Sequence, residues 1–133
     1  MVEVTVHIRW RDMDNYGHVN NAVYLNYLEE CRDRMVEGLF GADEAWDFVL
    51  AHVGIDFRNQ LTQDDGDVIV RCEVAGFGRS SIRTRERIEK ADGTVAADAE
   101  AVIVPRSPDG PSSRPLTEDE RAVLQRAIES AGA

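Results

Sequence analysis

The chain has 133 residues, 43% of them hydrophobic and 30% charged, with a net charge of -10, which bounds it to one globular domain burying about two thirds of its unfolded surface. So acidic a chain does not read as a nucleic-acid binder, because that affinity comes from Lys and Arg on phosphates, and a phosphate-bearing ligand would need a local group of arginines to overcome the global field. No apolar run approaches the ~20 residues that span a bilayer, so no membrane partner is expected.

The first ten residues, MVEVTVHIRW, alternate cleanly. Val2, Val4, Val6, Ile8 and Trp10 face one way and Glu3, Thr5, His7 and Arg9 the other, which is a half-buried strand. With Glu3 in it this stretch is unlike a signal or transit peptide, and the expected location is the cytoplasm. A dense polar loop follows. From Asn21 to Phe40 the period becomes helical: Tyr24, Leu28, Cys31, Met35 and Leu39 form one stripe, widened by Leu25, Val36 and Phe40, and Gly41 suits the residue after a helix.

Ala45 to Arg58 reads as a second strand and Gln60 to Gly66 as a polar turn. Val68, Val70, Cys72 and Val74 alternate as a third strand, which Gly76 and Gly78 break. Ser80 to Glu89 is a fourth, with Arg83, Arg85 and Arg87 on one face and Ile82, Thr84 and Ile88 on the other. After a hairpin turn at Ala91-Asp92-Gly93 comes a fifth, Val95 to Ile103, whose alanines leave room for a helix. Pro105 to Pro115 holds all four prolines and reads as a linker. Thr117 and Glu120 then match a capping box opening a short amphipathic helix. The division expected is a domain over 1-105 and a linker with appended helix over 106-133. The layout is α+β, one long helix against a mostly antiparallel five-stranded sheet. A single helix covers one face only, so the free edge and face favour self-association.

Cys31 and Cys72 are isolated, and with scattered His7, His18 and His52 they give neither a disulfide framework nor metal-ligand spacing. The stretch with a surplus of chemistry is RDMDNYGHVNN, Arg11 to Asn21. One helix start needs one Asp or Asn as its cap, and Asp12, Asp14, Asn20 and Asn21 are four. A carboxylate can serve as base or nucleophile, and the first turn of a helix offers free N–H donors that can polarise a carbonyl. Two carboxylates this close would raise the pKa of one of them.

The pattern D-x-D-x-x-G-H-V-N-N-x-x-Y-L-x-Y-x-E, from Asp12 through Glu29, resembles the signature of hot-dog-fold thioesterases of the 4-hydroxybenzoyl-CoA thioesterase type. Val53 to Arg58 and the turn Gly78-Arg79-Ser80-Ser81 extend the similarity over Val4 to Pro105. The resemblance implies a central helix wrapped by an antiparallel sheet. It also implies a homodimer or homotetramer joined at sheet edges, with active sites between protomers.

Carried over by that likeness, Asp14 is the catalytic carboxylate, as general base or nucleophile. His18, Val19, Asn20 and Asn21 shape the site at the helix start, and Arg58, Arg79 and Ser80 contact the substrate's coenzyme A side. The arginine face Arg83, Arg85 and Arg87 is a further candidate for the coenzyme A phosphates, with ordinary solvated alternation the favoured reading of any single member. Asp12 is expected to be structural, bonded to loop N–H groups, and Tyr24 and Tyr27 to pack the core. The implied reaction is hydrolysis of an acyl-CoA thioester to an acid and free CoA, with no metal or organic cofactor beyond the CoA of the substrate. The alternatives are a non-catalytic acyl-CoA-binding module and a thioesterase for acyl groups on carrier protein. A hot-dog dehydratase fits less well, because no histidine lies within Ala22–Phe40.

Overall fold

In the computed structural model, which describes residues 1–45 and 47–131, the alternating N-terminus forms β1 (Val2–His7). The strand ends sooner than the pattern. Ile8 is fully buried, but the chain then bends into a 3-10 turn over Trp10–Asp12, leaving Trp10 78% exposed rather than on the buried face. The helix foreseen from the change of period is α1 (Asn21–Phe40), followed by one turn, α2 (Ala42–Ala45). The second strand, expected from Ala45, is β2 (Phe48–Phe57); position 46 of that expected strand lies outside the described residues. Then come β3 (Asp67–Phe77), β4 (Ile82–Lys90), β5 (Val95–Pro105) and α3 (Glu118–Ala131).

All pairings are antiparallel, in the order β1-β3-β4-β5-β2. Gly76 does not break β3; a bulge between Val74 and Gly76 inserts one extra residue, Ala75, and the ladder resumes at Gly76 opposite Arg83. A Cβ at Gly76 would collide with the Arg83 guanidinium that lies across it. β1 reaches only to Val2, opposite Cys72, so the last part of β3 has no strand on that side.

α1 lies chiefly over β3, with β1 and β4 beside it, rather than over the alanines of β5. Tyr24, Tyr27, Leu28, Cys31, Met35 and Val36 bury one stripe of the helix against Val68, Val70, Cys72 and Val74 of β3 and Ile82 and Ile88 of β4. Within this apolar layer Arg32 of α1 meets Glu86 of β4. The capping box forms as expected: the Thr117 N–H donates to Glu120 Oε1 at 2.8 Å, and the Glu120 N–H to Thr117 Oγ1 at 3.1 Å. α3 packs against β3 at its Phe77 end, with Arg121 over the Phe77 ring, and Leu124 is fully buried in the same core as α1.

Candidate active site

Residues 12–20 form a closed loop leading into α1. Its stem is zipped by the Asn20 N–H on the Asp12 carbonyl (2.9 Å), by a bridge between Met13 and Val19, and by the Asp14 N–H on the His18 carbonyl (2.7 Å). Gly17 turns the tip with φ +82°, a conformation that suits a residue without Cβ. The loop is tied to the body by the Val19 N–H on the Leu61 carbonyl (2.7 Å), and Leu61 is in turn fixed by its N–H on the Tyr24 hydroxyl (3.1 Å).

Asp14 is half-buried within this loop. One carboxylate oxygen, Oδ1, accepts from the backbone N–H groups of Tyr16 (2.8 Å) and His18 (3.3 Å). The other, Oδ2, accepts no hydrogen bond from the described residues. The carboxylate is thus oriented by one oxygen and left with a free basic oxygen.

At the helix start, Asn20 is the cap: its side-chain oxygen accepts from the Ala22 N–H at 2.9 Å. The Val19, Asn20, Ala22 and Val23 N–H groups all have acceptors within the protein, whereas among the described residues the Asn21 N–H has none. It is therefore a first-turn donor left free to meet a bound acceptor. His18 works through its main chain, which both holds the stem and donates to Asp14; its half-buried ring makes no hydrogen bond with the described residues. The side chain of Val19 is 2% exposed and belongs to the core.

Asp12, two residues before Asp14, is buried and tied to structure, as expected. It accepts from the Arg9 N–H (2.9 Å), the Arg9 guanidinium (3.0 Å) and the Tyr27 hydroxyl (2.7 Å). The pKa expectation from like charge does not hold for it. Burial pushes the carboxyl up, but the bonds from Arg9 and Tyr27 outweigh this and hold it below the usual carboxylate value. Burial and Asp12 together push the Tyr27 phenol up. Sequence reasoning foresaw Asp12's role, but read Tyr27 as packing alone. The Arg9–Asp12 spacing of three was the one local hint of the turn they share.

The remaining candidates divide between the two ends of the sheet. Arg58 follows β2 at the loop's end, its N–H on the Ala96 carbonyl and its guanidinium on Asp98 at 2.9 Å. Arg79 and Ser80 lie in the β3–β4 turn, closed by the Gly78 N–H on the Ser81 carbonyl at 2.9 Å. β3 runs away from the Asp14 loop along its whole length, so within one chain Arg79 and Ser80 are at the far end of the sheet from Asp14. Of the outward arginines, Arg85 pairs with Glu73 and Arg87 with Asp98. No group of three or more His, Cys, Asp or Glu side chains able to hold a metal ion occurs among the described residues.

Residues 8–110 match the family model of the thioesterase-like superfamily. The chain belongs to that superfamily. Membership sets the enzyme class as a thioester hydrolase, and the hot-dog fold is the observed one. The long-chain acyl-CoA thioesterase FadM of Escherichia coli K12 is 30% identical over 105 residues, 74% of this chain and 77% of that protein. A thioesterase from Thermus thermophilus, solved with coenzyme A and zinc, superposes with a TM-score of 0.86 at 33% identity, over 96% of this chain and 94% of its own. A predicted thioesterase from Bacillus stearothermophilus gives 0.85 at 26% identity, over 95% of each. All three likenesses extend well beyond the loop motif that first suggested the superfamily.

Proposed function

We propose that the protein hydrolyses acyl-CoA thioesters, with Asp14 as the catalytic carboxylate. The observation that carries this reading is the asymmetry of that side chain, with Oδ1 held by two backbone N–H groups and Oδ2 without a partner among the described residues, close in the chain to the unengaged Asn21 N–H. As general base, Oδ2 takes a proton from water while the water oxygen attacks the thioester carbonyl. The carbonyl oxygen becomes an oxyanion facing the Asn21 N–H and the positive end of α1. Collapse breaks the C–S bond, CoA leaves as thiolate, and the proton returns from Asp14. As nucleophile, Oδ2 itself attacks and expels CoA as thiolate; water then hydrolyses the mixed anhydride, freeing the acid and Asp14 and giving up the proton that the thiolate takes. Both routes draw only on protein groups and water, with no metal or organic cofactor.

CoA as the carrier is supported by the substrate class in the name of the Escherichia coli relative and by the coenzyme A bound to the Thermus thermophilus one. The site is completed by a second copy of the chain. β2 is an edge strand with Val49, Leu50 and Phe57 exposed, and antiparallel pairing of two such edges would bring one protomer's Arg79 and Ser80 to the end of the sheet that carries its partner's Asp14. His18, Asn20 and Arg58 would line the near side. No described helix is long and apolar enough to cross a membrane, and work in the cytoplasm fits that.

The test is thiol release from short, medium, long and aromatic acyl-CoAs by the parent and by Asp14→Asn. Turnover that the substitution lowers by about 100-fold or more, as expected for loss of a base or nucleophile, supports the reading and identifies the acyl group. Turnover that survives the substitution removes Asp14 from the chemistry. Binding without turnover favours a non-catalytic module or a carrier-protein substrate.

A further inference from the structure

The cluster of exposed Arg9 with buried Asp12 and Tyr27 lies outside the reacting groups, and its bonds are of two kinds. Those from Arg9 are local: its N–H reaches Asp12 Oδ2 at 2.9 Å, and its guanidinium reaches Oδ1 at 3.0 Å through Nη2 and 3.2 Å through Nε. They shape the turn that begins the loop but tie it to nothing else. The bond from Tyr27 Oη to Asp12 Oδ2, at 2.7 Å, joins that turn to α1 across 15 residues of sequence. Among the described residues it is the only side-chain hydrogen bond between Asp12 and the helix. The second link is main-chain, the Asn20 N–H on the Asp12 carbonyl at 2.9 Å.

Asp12 is therefore fixed to α1 at two points, the cap residue and Tyr27. These are separated by roughly 10 Å of helix at 1.5 Å per residue. A helical side chain leans back toward the N-terminus, which is how Tyr27 reaches the loop. One point leaves a hinge and two set an angle. Asp14 stands two residues on from the point so fixed. Neither Tyr27 nor Asp12 is more than 2% exposed, so neither can touch a substrate directly.

We propose that Tyr27 is a positioning residue for Asp14, acting through Asp12. The kinetic part of this rests on the thioesterase reading above; the structural part does not. Arg9 supplies the charge that lets Asp12 stay ionised in the interior, and Tyr27 supplies the direction.

The test pairs amide hydrogen exchange with kinetics on the parent, Tyr27→Phe, Asp12→Asn and the double variant. In Tyr27→Phe the amides of Asp14, His18 and Asn20 should exchange about tenfold faster, the loss expected for one hydrogen bond to a charged group, while that of Met35 is unchanged. On an acyl-CoA that the parent hydrolyses, kcat should fall about tenfold with KM within twofold. Because Tyr27 acts through Asp12, the double variant should be no slower than Asp12→Asn alone. A merely structural hydroxyl would instead lower Tm and speed exchange throughout α1 without dividing kcat from KM. Loop amides that exchange at the parental rate would overturn the proposal, as would effects that multiply in the double variant. A parent with no turnover of any acyl-CoA refutes the acyl-CoA reading, and the exchange arm then decides this proposal by itself. If Asp12→Asn does not fold, exchange and the kcat–KM division in Tyr27→Phe decide it.

Discussion

Arg32 of α1 and Glu86 of β4 meet in a two-pronged ion pair inside the core, Nε to Oε2 at 2.8 Å and Nη2 to Oε1 at 2.7 Å, with side chains 6% and 0% exposed. The Thr84 hydroxyl donates to the same carboxylate at 2.7 Å. Burial pulls the guanidinium down in pKa, and its bond to Glu86 more than reverses this, leaving it raised. The pair is the polar pin between the helix and the middle of the sheet.

Breaking such a pair from one side is costlier than replacing it altogether, because the surviving charge stays buried. Glu86→Gln should therefore destabilise by about 3 kcal/mol, read as a lower urea midpoint. Arg32→Met combined with Glu86→Leu should recover most of that loss. A double variant no more stable than Glu86→Gln would show that the pair itself is a net source of stability.

Stability in acid follows from Asp12 and Glu120. Asp12 is held below its ordinary 3.8 because the bonds from Arg9 and Tyr27 outweigh its burial. Glu120 is held below its ordinary 4.5 by its bond to Arg114, against the opposing effect of burial. A carboxyl with a depressed folded pKa stabilises the fold fully above its unfolded value, and that contribution fades as pH falls through the folded one. Urea midpoints should thus be flat in these two groups from neutrality to about pH 5 and decline below it. Asp12→Asn should be less stable than the parent at neutral pH and lose less on acidification. An acid limb as steep as the parent's would remove Asp12 from the account.

The edge strand β2 gives a third test. Leu50 is 48% exposed there, on a strand paired only with β5. A charge at such a position discourages pairing with another edge. Leu50→Lys should shift the protein toward monomer in sedimentation and lower thioester hydrolysis with it, by about tenfold at dilute protein, where association is mass-action limited. Full activity in a sedimenting monomer would show that one chain suffices.

Much of this was legible in the sequence because it is local. The bounds of α1 followed from a change of period and from Gly41, and the Asp14 loop from its density of polar residues. What was not legible depends on register or on distant contacts. Trp10 continues an alternation that the chain abandons after Ile8, so pattern alone put it inside. Gly76 looked like a strand breaker because a bulge and a break share the same glycine. Arg32 pairs with a residue 54 positions away; its only sign was a charge between Leu28 and Met35 on the apolar stripe. That Arg79 and Ser80 lie at the other end of the sheet from Asp14 follows only once strand order and direction are known.

The short reach of β1 bears on how the chain avoids polymerising. Beyond Cys72 the outer rim of β3 offers backbone donors and acceptors with no neighbouring strand to take them, and such a rim is a template for a foreign segment. Two features blunt it. The bulge at Gly76 spoils its regular spacing, and α3 lies against its Phe77 end, held by Leu124 in the core and by Arg121 on the Gly78 carbonyl. The C-terminal helix thus serves as a built-in stopper: it denies that rim to other chains and leaves the outer edges of β1 and β2 as those open to association.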